Sequence, residues 1–185
     1  MKKVIQFIVD VADFINIKVA VLVSILFIPL VGLSVYEVIV RRLFGKPTIW
    51  SLEMTRFSFV PIAVLALGYT FIIGGHATID VFTEKFSEKL KAIIHILGIV
   101  VLLLPTSIVM FMNSYLTASM SWASLERTPS AFNAPIYPIK ALIPIGFALL
   151  TIAAISELLK SIYFLATNEK MQSKARNKHL EIENR

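Results

Sequence analysis

Four stretches of about 20 or more mostly apolar residues divide this chain, each long enough to cross a bilayer core of roughly 30 Å as a helix. They run over about 17–40, 50–74, 92–118 and 138–165. Nothing else restricts the fold as much. In lipid a backbone must satisfy its own hydrogen bonds, and a helix does so within one segment. Composition agrees: of 185 residues, 57% are apolar and only 16% charged, against roughly 25% charged in a soluble domain. The charges cluster at the ends and in short connectors. The expected fold class is an all-α integral membrane protein, with four transmembrane helices and short interfacial amphipathic helices. One membrane domain is expected over 1–165, followed by a polar tail over 166–185 that frays in solution.

The net charge of +6 comes from Lys and Arg flanking the apolar stretches, where they meet anionic lipid. No nucleic-acid partner is expected. The chain has no cysteine, which excludes disulfides, thiolate ligands and a Cys nucleophile. The first residues, MKKVIQFIVDVADF, do not form a convincing signal peptide, because Asp10 and Asp13 interrupt any apolar core. Their retention is expected. Residues 2–15 read as an amphipathic helix in the interface, with Val4, Ile5, Ile8, Val11 and Ile15 on one side and Lys3, Asp10 and Asp13 mostly on the other.

Pro29 and Gly32 lie in the first crossing and make a bend plausible. Gly45 and Pro47 punctuate the first connector. A second amphipathic piece is expected over 80–91, capped by Asp80. Lys2, Lys3 and Lys18, then Lys85, Lys89 and Lys91, then the basic residues from Lys160 onward fall on one side of the membrane. The other side holds Arg41, Arg42, Lys46, Arg127 and Lys140, with Arg56 left out because it lies within a span. The positive-inside rule therefore places both termini in the cytoplasm.

The polar constellations are few. His76 and Asp80 have the spacing of two metal ligands, but no HExxH or second His/Asp cluster accompanies them. The plainer reading is a membrane exit: Gly74-Gly75 turn the chain, His76 stays in the headgroup layer and Asp80 opens a surface helix. His76 and His95 also raise a haem ligated between helices 2 and 3, as in membrane anchors of oxidoreductases, although His76 lies beyond its helix end. Glu37, Arg41, Arg42, Glu53 and Arg56 crowd the outer ends of the first two crossings. They read either as an ion relay or as a neutralised network pinning helix 1 to helix 2. In the network, Glu37 pairs with Arg41 at i,i+4, and Glu53 with Arg56, helped by Arg41 or Arg42. Trp50 suits an interface anchor, and Pro138 a first helical turn. Lys140 reaches either a phosphate headgroup or an acidic patch on a partner. No nucleophile elbow, phosphate-binding loop or catalytic carboxylate pair is present, so no enzyme is expected.

The segments YEVIVRRLFGKPTIWSLEMTR, LGYTFIIGGHATIDVF and IYPIKALIPIGFALL, taken in order with the four-span plan, resemble the small permease subunit of TRAP transporters, the DctQ type. The likeness rests on four features. Tyr36-Glu37 comes with arginine at the end of helix 1, and Trp50-x-x-Glu53 follows a proline-bearing loop. Gly75-His76-x-x-x-Asp80 follows helix 2, and Pro138-x-Lys140 opens the last helix. Ala77-Thr78 depart from it, since relatives often carry a basic residue there. The likeness covers most of 30–160 and implies a location in the bacterial cytoplasmic (inner) membrane. The implied partners are a large membrane subunit (M-type), which holds the substrate and sodium sites, and a periplasmic binding protein that delivers an organic acid. Membrane lipids would surround both subunits. The small subunit is then a fixed scaffold whose outward loops help dock the binding protein. It carries no cofactor, and sodium coupling belongs to its partner. A small self-assembling channel or carrier is the remaining alternative.

Overall fold

A computed structural model describes residues 2–74, 87–169, 171 and 173–177. Gly75, His76 and Asp80 lie outside these residues, as does most of the interfacial helix expected over 80–91. The described residues are helical, with no strand and one isolated bridge, Arg127 to Pro135. In chain order the helices are α1 (Lys2–Ser24), α2 (Phe27–Phe44), α3 (Ile49–Leu65), α4 (Leu67–Ile72), α5 (Glu88–Leu97), α6 (Leu104–Ala123) and α7 (Tyr137–Thr167). A π-helical turn, Gly98–Leu103, joins α5 to α6. Four helical stretches are long and apolar enough to cross a membrane: Lys2–Phe44, Ile49–Ile72, Glu88–Ala123 and Tyr137–Thr167.

Proline chemistry sets two of the irregularities. Pro29 has no N–H to offer the carbonyl of Ile25, four residues back, and its ring crowds that carbonyl. The Ile25 carbonyl instead accepts from Ile28 at 3.3 Å, and the first stretch breaks there into α1 and α2. Residues 2–15 and the start of the first crossing share one helix, because α1 runs unbroken from Lys2 to Ser24. The whole stretch Lys2–Phe44 holds 43 residues, about 65 Å at the helical rise of 1.5 Å per residue. That is twice the bilayer core, so part of this stretch lies beyond it. Ahead of Pro105 the chain widens, and the Leu104 N–H reaches back five residues to Ile99 O. The described start of α5 is capped by Ser87, whose hydroxyl accepts from the Leu90 N–H.

The long helix α7 is the hub of the packing. Its principal neighbours are α6 on one side and α3–α4 on the other, and α1 and α5 also rest on it. α2 packs chiefly on α3. The packing order is thus α2, α3–α4, α7, α6, with α2 and α6 at opposite edges. Small residues let the backbones approach, as membrane helices require where lipid gives no hydrophobic drive. A Cβ on Gly146 would sit 2.5 Å from the Val64 carbonyl oxygen. Ala153 and Ala154 of α7 are fully buried. Val23, Ile62, Leu65 and Leu149 form the apolar core in the middle of the bundle.

α1 reverses the expected orientation of its polar side. Val4, Ile8, Val11 and Ile15 are exposed, whereas Asp13 and Asn16 are fully buried with Val9 and Ala12. An interfacial helix would turn its polar side to water. A helix packed among others in lipid turns its apolar side to the tails and hides its polar groups in the bundle, where they find partners.

The tail is also partly ordered. Ser173 is buried and caps a turn at 174–177, accepting from the Arg176 N–H at 3.1 Å. Asp10 of α1 accepts from the Lys174 N–H at 2.9 Å. Residues 171 and 173–177 therefore do not fray; Met171 and Ser173 are buried, and Asp10 of α1 offers this part of the tail a hydrogen-bond partner. Lys2 lies 2.8 Å from Glu169, so both ends of the helical bundle's chain meet at one end of the molecule. The opposite end, formed by the α2–α3 and α6–α7 connections, is termed the hairpin end below.

Candidate functional site

Charged side chains on the described helices gather at the two ends of the bundle. At the hairpin end α2 stops at Gly45, whose left-handed conformation (φ 68°) and N–H bond to Arg41 O close the helix. The turn brings Thr48, at the start of α3, back beside Glu37. The buried Glu37 carboxylate accepts from Arg41 at 3.1 Å, from the Thr48 N–H at 3.2 Å and from the Thr48 hydroxyl. It thus lies against the amide end of α3, where the helix dipole favours negative charge. The Trp50 ring packs against Tyr36, centroids 5.4 Å apart, and fixes the same turn.

The second connection is tied down independently. Thr128 N–H bonds Ala134 O, Ile136 N–H bonds Glu126 O, and the Arg127 guanidinium donates to Asn133 O. Pro138 stands in the first turn of α7. The Lys140 ammonium lies 2.5 Å from Glu126 of the preceding connector. The turn between α6 and α7 places that carboxylate within reach, which the sequence did not reveal. This ammonium holds the Glu126 carboxyl below its ordinary value. The Trp122 and Tyr137 rings meet edge to face at 4.8 Å and close the base of the loop.

Glu53 and Arg56 do not neutralise each other. Glu53 is 5% exposed and its Oε2 is buried without a hydrogen-bond partner. Arg56 is exposed, and among the described residues no ion pair joins it, or Arg42, to any acid. Three residues leave the two side chains about 60° apart around the helix, and here that is enough for Glu53 to be buried while Arg56 stays exposed. Both line a cavity of about 260 Å³ walled by Phe57, Phe59, Val60 and Thr128.

At the other end a second cluster joins α1 to α7. Asp13 is fully buried; one oxygen accepts from Ser156 at 2.8 Å and the other from Lys160 at 2.6 Å. Lys160 also reaches Glu157 at 2.8 Å, and Arg176 of the tail approaches Glu157 at 3.8 Å. Sequence reasoning missed this site. Its readable part was Ser156 and Lys160 at i,i+4 on a mostly apolar helix; Asp13 is 147 residues from Lys160. Between the two ends the polar contacts are sparse. The Thr151 hydroxyl donates to Ser107 at 3.1 Å across α6 and α7.

The haem reading needs His76 and His95 together. His76 lies outside the described residues. The His95 ring stacks on Phe71 at 6.1 Å, and its Nδ1 is 3.1 Å from the Ser161 hydroxyl.

Among curated proteins none matches the sequence. The family profile described as "Tripartite ATP-independent periplasmic transporters, DctQ component" matches residues 30–163. The match runs from the first turn of α2 through most of α7, and so includes both hairpin-end connections and Lys160. It covers well over half of the chain. The chain belongs to the DctQ component family of the tripartite ATP-independent periplasmic transporters, and is a small membrane subunit of such a transporter.

Proposed function

We propose that this subunit is a fixed brace for the large membrane subunit of a sodium-coupled organic-acid transporter. It moves no solute itself. The observation that carries this reading is the distribution of polarity. The helices are pinned by polar contacts at both ends, while the middle is packed by Val23, Ile62, Leu65 and Leu149. A solute path needs charged or polar groups facing a common interior at mid-membrane. A brace needs rigid ends and broad apolar faces. Edge helices α2 and α6 expose such faces, including Ile28, Val31 and Val35 on one and Val109, Met112 and Leu116 on the other.

In this reading the end carrying the termini is cytoplasmic, by the excess of Lys and Arg there. The hairpin end then faces the periplasm of a bacterial cytoplasmic membrane. Its ordered loop over 124–136 is the surface offered to the binding protein, while the substrate and sodium sites belong to the large subunit. The test is reconstitution. Vesicles with the large subunit, this subunit and the binding protein take up organic acid when sodium is applied. Vesicles holding this subunit alone stay at the level of empty ones. Uptake by the subunit alone overturns the reading.

A further inference from the structure

The Glu53 cavity is unfinished. Glu53 is 5% exposed, and its Oε2 has no hydrogen-bond partner among the described residues. Buried carboxylates are costly unless paired and hydrogen-bonded. Glu53 lies four residues into α3, about 6 Å below the helix start, and Phe59 about 15 Å below it. The cavity runs along α3 from Thr128 of the α6–α7 connection to Phe59, which is 56% exposed. An exposed phenylalanine that far along a membrane-spanning helix is a surface that a neighbouring transmembrane helix can reach.

The lining restricts what enters. Glu53 and Thr128 are the two oxygen-bearing side chains among the lining residues. The Thr128 hydroxyl is already committed to Ser130 and to the Ala134 N–H. That is too few oxygens for a hard metal ion, which gathers about six. One free carboxylate beside the rings of Phe57 and Phe59 suits an ammonium or guanidinium, which gains from both charge and ring faces. Arg56 on the rim repels a lone cation, so the entering group must carry an acid close to its cation.

We propose that Glu53 is the socket for a Lys or Arg on a transmembrane helix of the large subunit, and that Arg56 pairs with an Asp or Glu near that cation. This rests on the reading of the chain as one subunit of a two-subunit membrane assembly. It makes the site complete only in the complex.

The test uses the tagged subunit co-expressed with its large subunit, read as large subunit recovered per tagged chain. Glu53→Lys lowers recovery about tenfold or more, since two cations then meet in a desolvated site. Glu53→Gln keeps shape and lowers recovery about two- to fivefold. Replacing membrane Lys and Arg of the large subunit one at a time by Glu restores Glu53→Lys at one position and identifies the occupant. If Glu53→Lys does not accumulate in the membrane, Glu53→Gln decides. Wild-type recovery with Glu53→Gln overturns the proposal, as does failure of every acidic replacement to rescue a well-expressed Glu53→Lys chain. If the wild-type subunit recovers no large subunit, the two-subunit reading itself fails; if it recovers one and Glu53→Gln matches it, only the socket fails.

Discussion

Asp13 and Glu53 are buried to nearly the same degree, at opposite ends of one bundle, and their surroundings differ completely. Both Asp13 oxygens are occupied, by Ser156 and by Lys160. Glu53 has an empty Oε2 and a cavity beside it. The first acid binds α1 to α7 within the chain, and nothing is left over for a neighbour. The second has an oxygen without a partner among the described residues, which the proposed socket leaves for another molecule. Burial of charge thus serves internal cohesion at one end and association at the other.

Breaking the satisfied end is expected to have the largest effect. Lys160→Met leaves Asp13 buried and charged, with only Ser156 beside it. Such removal of one partner costs about 3–5 kcal/mol, seen as a large fall in thermal midpoint of the purified protein in detergent. Pairing it with Asp13→Leu removes the orphaned charge and recovers most of the loss. A Lys160→Met protein as stable as the parent would erase the contrast, because Asp13 would then need no cation either.

Glu37→Ala is next. This acid shares the hairpin end with Glu53 but is internally satisfied, by Arg41 and Thr48. Its loss removes charge-assisted hydrogen bonds worth about 1.5–3 kcal/mol and loosens the α2–α3 turn. Stability falls while recovery of the large subunit per folded chain stays near normal. Glu53→Gln should do the reverse, so the two variants together separate cohesion from association.

The middle of the molecule supports the comparison by holding the ends in register. Gly146→Ala places a methyl 2.5 Å from the Val64 carbonyl oxygen. Neither backbone can yield without shifting α3 against α7, and overpacking of this kind costs about 1–3 kcal/mol. The fall in thermal midpoint should exceed that of Gly32→Ala, since a Cβ on Gly32 meets nothing within 4 Å.

Much of this was legible in the sequence, for reasons of range. Four apolar runs announce four helices because lipid allows few other solutions. Glu37 and Arg41 meet because i,i+4 is a local distance on a helix. Local rules misled where the neighbour was not local. The i,i+3 spacing of Glu53 and Arg56 suggested a pair, yet α3 packs so that only Glu53 faces inward. Asp13 was assigned to a wet face because its helix was read as interfacial; the packing of α1 on α7 decides otherwise. Lys140 and Glu126 are joined by a loop whose fold depends on its own backbone bonds, from Thr128 to Ala134 and from Ile136 to Glu126. No periodicity encodes such a turn.

The smallest expected effect comes from the exposed pairs, and it shows where the difference between the ends stops. Glu126 beside Lys140 and Glu169 beside Lys2 both have carboxyls held below the ordinary value, mainly by a hydrogen bond from the lysine. A carboxylate depressed in the folded state stabilises above its unfolded pKa, near 4.3 for glutamate. That contribution disappears as pH falls through the lower folded value. Stability should therefore be level at neutral pH and decline only on the acid side of the ordinary carboxylate range. Lys140→Met should lower the thermal midpoint slightly at pH 7, and the gap from the parent should close in acid. Lys2→Met should behave alike, because solvent screens both pairs in the same way. If one of them instead shows a gap as large as that of Lys160→Met, its end of the molecule carries charge at the surface with the same consequence as in the interior. The contrast between the ends would then belong to position along the bundle, and burial would not be its cause.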